Sequence, residues 1–133
     1  METKMTSSLK VLVVDDDEAV RRLLSIVLPL DGKYEIVGEA ADGYAAIAAA
    51  EMLQPDIIVL DHMMPALTGA AAYPTIRRVA PSADVLFFSA YLERADFMDE
   101  MTANRGPLDC EFISKSGICE LELALGRISA KRA

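Results

Sequence analysis

Directly after several short apolar runs, this sequence carries side chains that can bind a cation or transfer a phosphoryl group. They are Asp15, Asp16, Asp17, Asp61, Ser89, Ser114 and Lys115. If the carboxylates converge, each pair at ~4 Å repels by up to ~4 kcal/mol at an effective dielectric constant of ~20, which one lysine cannot offset. A Mg²⁺ ion can offset it, because this ion binds carboxylate oxygens together with phosphate oxygens and water. Acids, cation, hydroxyl and lysine together predict phosphoryl-transfer chemistry.

Apolar runs alternate with helical patterns along the chain, and these elements must position the reactive side chains. Runs rich in aliphatic and β-branched residues predict strands at 9–14, 34–40, 56–60, 84–89 and 110–114. Apolar residues at helical spacing and good helix formers predict helices at 18–28, in an alanine-rich stretch ending at 53, and at 69–79, 93–104 and 118–131. Asp17 is predicted to cap the first helix, Leu23 and Leu24 to share its apolar face, and Asp42-Gly43 to form a turn.

This alternation is typical of an open parallel sheet with helices on both faces, since each right-handed crossover returns the chain to a parallel strand. Ligands bind such sheets beyond the carboxyl ends of the strands, where the acids, the serines and the lysine stand. The prediction is therefore one α/β domain over residues 9–133, preceded by a disordered segment at 1–8.

Composition argues against several classes of function. The net charge is −8 and the basic residues are scattered, so we expect no nucleic acid binding. No apolar stretch reaches the ~20 residues of a membrane span, and no signal-peptide pattern is present, so we expect a cytoplasmic protein without membrane contact. Cys110 and Cys119 are expected to be reduced, partly buried thiols, and a single histidine, His62, argues against a zinc site.

Five motifs follow one another along the chain. They are Lys10-Val11-Leu12-Val13-Val14-Asp15-Asp16, Asp56-Ile57-Ile58-Val59-Leu60-Asp61, Met64-Pro65 with Gly69, Phe88-Ser89-Ala90, and Phe112-Ile113-Ser114-Lys115. In order and spacing they resemble the receiver domains of bacterial two-component response regulators, over about residues 9–130. The resemblance implies a flavodoxin-like (βα)5 fold, with an open parallel five-stranded sheet of order 2-1-3-4-5. It also implies a stand-alone receiver in a phosphorelay.

The resemblance implies a role for each acid of the pocket. Asp61 would be the nucleophile that takes a phosphoryl group from a histidine kinase or a histidine phosphotransfer protein. Asp16, Asp61 and the backbone carbonyl of Met63 would bind Mg²⁺ directly, and Asp15 would assist. Asp17 is expected to be a helix cap rather than a metal ligand.

The resemblance also implies how the signal would leave the site. Lys115 would pair with Asp61 and later with the phosphoryl oxygens, while Ser89 would donate its hydroxyl to them. Phe112 would be the switch aromatic that follows Ser89, and the signal would pass to a downstream protein partner. On this interpretation the protein is not an enzyme, and it is a monomer or a weak homodimer.

The sequence departs from the receiver pattern near its end. Ser116 stands where receivers usually carry proline, and Leu108-Asp109 replaces a small Gly-Ala pair. The segment from Ser89 to Lys115 is a few residues longer than usual, so the stretch 92–109 is atypical. Because these changes fall on the signalling face, we expect ordinary phosphoryl chemistry but an unusual fourth helix or partner surface.

Two other functions stay open at this point. One is a receiver-like interaction module that is never phosphorylated. The other is a haloacid-dehalogenase-type phosphatase, because Asp15 and Asp17 have its D-x-D spacing, although Ala19 departs from that motif. His62 is expected to be a surface loop residue.

Overall fold

A computed structural model describes residues 8–89, 99, 111–115 and 117–132, with the backbone alone at Phe112. The predicted helix at 93–104 therefore lies outside the described residues, apart from Asp99. The same holds for nearly all of the N-terminal segment, for Cys110, and for the departures at Leu108-Asp109 and Ser116.

The described strands form one parallel five-stranded sheet with the order β2-β1-β3-β4-β5. They are β1 (Leu9–Val14), β2 (Tyr34–Ala40), β3 (Ile57–Leu60), β4 (Asp84–Ser89) and β5 (Glu111–Ser114). The central strands β1 and β3 carry apolar side chains on both faces, as expected when helices cover both sides of a sheet. The predicted α/β class, the parallel sheet and its strand order are confirmed.

Four helices are described, together with a short 3-10 helix. They are α1 (Glu18–Val27), the 3-10 helix (Leu28–Asp31), α2 (Gly43–Leu53), α3 (Gly69–Val79) and α4 (Ile118–Arg132). Successive residues of a strand point to opposite faces, so β1 supplies both apolar cores. Leu12 and Val14 pack toward α2 and α3, whereas Val11 and Val13 pack toward α1 and α4.

Helix starts at the carboxyl edge of the sheet follow the sequence signals, with one difference. Asp17 caps α1, because its side chain accepts a hydrogen bond from the Ala19 backbone N–H. Asp42-Gly43, predicted as a turn, forms the start of α2. Asp42 caps α2 by accepting from the Ala45 N–H at 2.8 Å, and Gly43 is the first helical residue.

The apolar face of α1 is narrower than predicted. Leu24 is buried, but Leu23 is 51% exposed. Adjacent helical residues differ by about 100° in direction, and here Leu24 faces the sheet while Leu23 lies beside the buried face. No helix among the described residues combines the length and apolar character needed to cross a membrane.

Candidate functional site

Backbone hydrogen bonds extend the sheet one residue past the strand ends and fix the reactive positions there. The Asp15 N–H donates to the Ala40 carbonyl at 3.0 Å, and the Asp61 N–H donates to the Val14 carbonyl at 2.9 Å. On the far side, the Lys115 N–H donates to the carbonyl of Ser89 at 3.0 Å. The acids, the serine and the lysine are therefore attached to the rigid edge of the sheet rather than to free loops.

Three carboxylates converge at this edge. Asp15, Asp16 and Asp61 each offer one oxygen, and the three oxygens lie within 4.8 Å of one another. Asp15 and Asp61 are buried, whereas Asp16 is exposed. Asp17 lies beside them but uses its side chain to cap α1, as expected from the sequence.

Both oxygens of Asp15 already have protein donors. Oδ1 accepts from the Asp17 backbone N–H at 2.9 Å, and Oδ2 lies 2.5 Å from Lys115 Nζ. Lys115 Nζ lies farther from Asp61 Oδ2, at 3.5 Å. The lysine thus bridges two carboxylates and approaches Asp15 more closely than the expected partner Asp61. An Asp15 held in this way is poorly placed as the nucleophile that the phosphatase alternative requires.

Burial and charge alter the acid-base properties of Asp61 and Lys115. Burial, followed by the charge of Asp15, raises the pKa of Asp61 to about 6, although Lys115 acts in the opposite direction. Burial lowers the pKa of Lys115, but its hydrogen bonds and charge interactions with Asp15 and Asp61 outweigh that effect, so its pKa is raised. The lysine therefore keeps its positive charge at neutral pH.

Two buried oxygens in this region, Asp61 Oδ1 and Ser89 Oγ, make no hydrogen bond of good geometry within the described residues, although Ser89 lies close enough to Asp61 to act against the rise of its pKa. A buried polar atom without a partner costs about 1–3 kcal/mol, so such atoms mark positions where a ligand can bind. An unpartnered carboxylate oxygen next to Asp16 fits a hard cation such as Mg²⁺. The unpartnered hydroxyl near Lys115 fits an anionic oxygen.

These groups open into a cleft of about 570 Å³. It is lined by Asp16, Asp17, Val20, Asp61, Met63, Ser89 and Lys115. The structure thus brings together five of the residues expected at the site, with the buried Asp15 beside them. The side chain of Phe112, the expected switch aromatic, lies outside the described residues, and its role stays a prediction.

The interpretation of His62 as a surface loop residue is wrong. His62 is only 8% exposed, and its Nδ1 accepts a hydrogen bond from the Ala70 backbone N–H at 3.3 Å. Its carbonyl accepts from the Gly69 N–H at 2.9 Å. A Cβ at Gly69 would clash with the Asp61 carbonyl oxygen, so glycine is what allows α3 to approach and cover this histidine. In the sequence, Gly69 was the residue that could have indicated this close packing of α3 on His62.

Sequence inspection also missed Arg21. Its Nη1 donates to the backbone carbonyl of Asp15 at 2.7 Å, and its Nε donates to Glu39 Oε1 at 3.2 Å. A basic residue one turn after an acidic loop is too common to be a signal, and its partner Glu39 lies on β2, far along the chain.

The family is shown by a match to known proteins. Residues 11–115 match the family model described as the response regulator receiver domain. The chain belongs to this family. As a receiver domain, it matches the VraR response regulator of Staphylococcus aureus (strain Mu3) with 40% identity over 86 residues. That match covers 65% of this chain and 41% of VraR.

Solved structures support the same family and fold. The response regulator domain of CheB from Thermotoga maritima superposes with a TM-score of 0.74 and is 29% identical in sequence. The match covers 91% of this receiver chain and 93% of that domain. The protein is therefore a response regulator receiver domain of the flavodoxin-like type.

The expectation that the protein is not an enzyme is contradicted. A relative from Photobacterium profundum, 33% identical over 132 residues, is named protein-glutamate methylesterase/protein-glutamine glutaminase, which is an enzyme. That match covers 94% of this chain but 34% of that protein. The chain spans about a third of the length of such relatives. The expectation was wrong because a receiver pattern carries no information about an activity named for a longer protein.

Proposed function

We propose that this receiver domain accepts a phosphoryl group on Asp61, with Mg²⁺ bound beside it, from a histidine kinase or a histidine phosphotransfer protein. The observation that carries the proposal is a pair of buried oxygens, Asp61 Oδ1 and Ser89 Oγ, that line one acidic cleft and make no hydrogen bond of good geometry with any residue the structure describes.

Four groups of this chain support binding of Mg²⁺ at the proposed site. Asp16 and Asp61 would hold the ion directly together with the backbone carbonyl of Met63, a residue that lines the cleft. Asp15 would act indirectly, because its two oxygens are engaged by Asp17 and Lys115. When bound, the ion would neutralise the carboxylates and the charge that develops on the transferred group.

The chemistry assigned to the chain is nucleophilic displacement at phosphorus. A carboxylate oxygen of Asp61 forms the new O–P bond, the donor's N–P bond breaks, and its electron pair stays on the histidine nitrogen of the donor. Lys115 Nζ, 3.5 Å from Asp61 Oδ2, would stabilise the negative oxygens of the transferred group. Ser89 would donate its hydroxyl to one of them. The ionised form of Asp61 is the nucleophile, and bound Mg²⁺ would favour that form against the burial that raises the pKa of Asp61.

Signalling would follow from the movement of Ser89 toward the phosphoryl group. Ser89 ends β4, and its carbonyl accepts from the Lys115 N–H, so a shift of one residue is coupled to the other. Phe112, two residues before Ser114 on the adjacent strand β5, would reorient with this movement and change the surface offered to a downstream protein.

Intact-mass measurement after incubation with acetyl phosphate and Mg²⁺ tests the proposal. The natural protein should gain one phosphoryl mass, and Asp61→Asn should gain none. The matched control is Asp42→Asn, since Asp42 caps α2 and asparagine caps equally well. This control should be phosphorylated like the natural protein. Equal mass gain in Asp61→Asn would assign the acceptor to another residue, and no gain in the natural protein would overturn phosphorylation.

A further inference from the structure

We propose that Arg21 is a positioning residue, which sets the Mg²⁺ affinity of the receiver by holding the backbone carbonyl of Asp15. The inference rests on the proposed function, because it concerns the same cation. Arg21 neither lines the cleft nor belongs to the acidic cluster, so its effect would pass through the backbone.

The guanidinium of Arg21 is fixed on two sides. Nη1 donates to the Asp15 carbonyl at 2.7 Å, while Nε donates to Glu39 Oε1 at 3.2 Å. Glu39 is itself held, because Ser25 Oγ donates to its Oε2 at 3.0 Å. The Arg21 side chain is 17% exposed. A largely buried, two-point contact of this kind fixes geometry better than an exposed ion pair, because arginine presents its donors in a rigid plane.

The carbonyl that Arg21 holds belongs to the peptide that joins Asp15 to Asp16. A peptide unit is planar, so fixing its oxygen fixes the plane and the direction in which the Asp16 Cα leaves it. The N–H of Asp15 is already held by the Ala40 carbonyl at 3.0 Å. Beside this bond and the Asp17 N–H that donates to Asp15 Oδ1 at 2.9 Å, Arg21 supplies the restraint on the carbonyl that precedes Asp16.

Asp16 depends on that restraint more than the other two acids do. Its side chain is exposed, and within the described ranges it makes no hydrogen bond or ion pair. Asp15 and Asp61, in contrast, are buried and contact Lys115. The position of the Asp16 carboxylate is consequently set by its backbone alone, and metal affinity is sensitive to the groups that orient a ligand.

The charge of Arg21 and its positioning role predict opposite changes in Mg²⁺ affinity when Arg21 is removed, so the direction of the change tests the inference. Arg21 is a cation close to the acidic cluster, so its removal should favour a second cation by Coulomb's law. If Arg21 acts by position, its removal should instead weaken Mg²⁺ binding, because Asp16 is released from its productive orientation.

The test is isothermal titration of Mg²⁺ into the natural protein, Arg21→Met and the control Arg22→Met. Methionine keeps the apolar stem in both variants. Arg22 lies next to Arg21 on α1 and carries the same charge, but it is 70% exposed and contacts only the exposed Glu18 among the described residues. Arg21→Met should weaken Mg²⁺ binding by about tenfold, whereas Arg22→Met should leave it unchanged.

Melting temperatures measured without Mg²⁺ distinguish a loss of stability from a change in the orientation of Asp16. A lower melting temperature for Arg21→Met with an unchanged dissociation constant would overturn the inference, as would tighter binding. Should Arg21→Met not fold, Arg21→Lys decides, since lysine keeps the charge but lacks the rigid plane of donors that contacts Asp15 and Glu39 together. It should bind Mg²⁺ with intermediate affinity, and natural affinity in this variant would overturn the inference. A natural protein that binds no Mg²⁺ would overturn the inference together with the proposed function.

Discussion

At each edge of the same sheet a basic side chain pairs with two aspartates, yet the two edges differ in how fully the acids are satisfied. At the amino edge, Arg132 Nη1 donates to Asp84 Oδ2 at 2.7 Å and Nη2 donates to Asp56 Oδ1 at 3.2 Å. The second oxygen of Asp56 accepts from the Lys10 backbone N–H at 2.8 Å. These three side chains are also 26–32% exposed, so water can reach them.

At the carboxyl edge, the acids are more buried and less well paired. Asp15 and Asp61 share Lys115, Asp61 keeps one buried oxygen without a partner among the described residues, and the pKa of Asp61 is raised to about 6. The amino-edge cluster ties the end of α4 to β3 and β4 and needs no ligand. The number of acids therefore does not distinguish a ligand-binding site, whereas a buried carboxylate oxygen without a hydrogen-bond donor does.

The largest contrast should come from removing the basic group that pairs with two aspartates at each edge. Lys115→Met should lower the free energy of unfolding by about 3 kcal/mol, because it leaves two buried carboxylates without a counterion. Arg132→Met should cost about 1 kcal/mol, since water can replace its contacts with two partly exposed acids. Urea denaturation of both variants without divalent cations measures the difference. Equal losses would mean that water screens both edges alike.

Removing one acid from each edge should change stability in opposite directions. Asp61→Asn should raise the free energy of unfolding at neutral pH by about 2 kcal/mol, because it removes an ionised group whose raised pKa shows that the fold disfavours it. Asp56→Asn should lower it by about 1 kcal/mol, because it weakens a charge-assisted contact with Arg132. The same urea titrations decide, and a loss of stability in Asp61→Asn would contradict the strained state of the carboxyl edge.

The smallest effect in this series is the pH dependence of the Asp61→Asn gain. The folded-state pKa of Asp61 is raised, so its contribution to stability is fully present below the unfolded-state pKa of about 3.9 and is lost as pH rises through about 6. The advantage of Asp61→Asn over the natural protein should therefore shrink between about pH 7 and about pH 4. Denaturation in EDTA at several pH values measures this. Asp56→Asn serves as the amino-edge reference, and a constant Asp61→Asn advantage would rule out the titration of Asp61 as its cause.

The sequence predicted most of the fold because its signals were local. The bounds of β1, β2, β4 and α3 coincide with the apolar patterns, and Asp17 caps α1 as its residue type and position suggested. The acids and the serine also lie where a parallel sheet must place residues that follow its strands. Periodicity and the rule for ligand sites in such sheets were sufficient for these features.

The failures concern contacts between distant parts of the chain. His62 is buried by the approach of α3, Lys115 lies closer to Asp15 than to Asp61, and Arg21 reaches Glu39 on β2. Each depends on packing distances that a pattern along one segment does not contain. The error about enzymatic activity had a different origin, because the activity is named for proteins about three times as long as the matched region.

The contact at Gly69 has a consequence for the number of residues that the site can contain. The Gly69 N–H donates to the His62 carbonyl, and the backbone of Gly69 lies against that of Asp61. The segment 61–69 is therefore a closed ring, joined at its ends by a hydrogen bond and a contact too tight for a side chain. Substitutions within this segment can leave the hydrogen bond between its ends intact, but an inserted or deleted residue changes the length of chain that the bond must close. Loop length at this position is thus a structural parameter of the site in its own right.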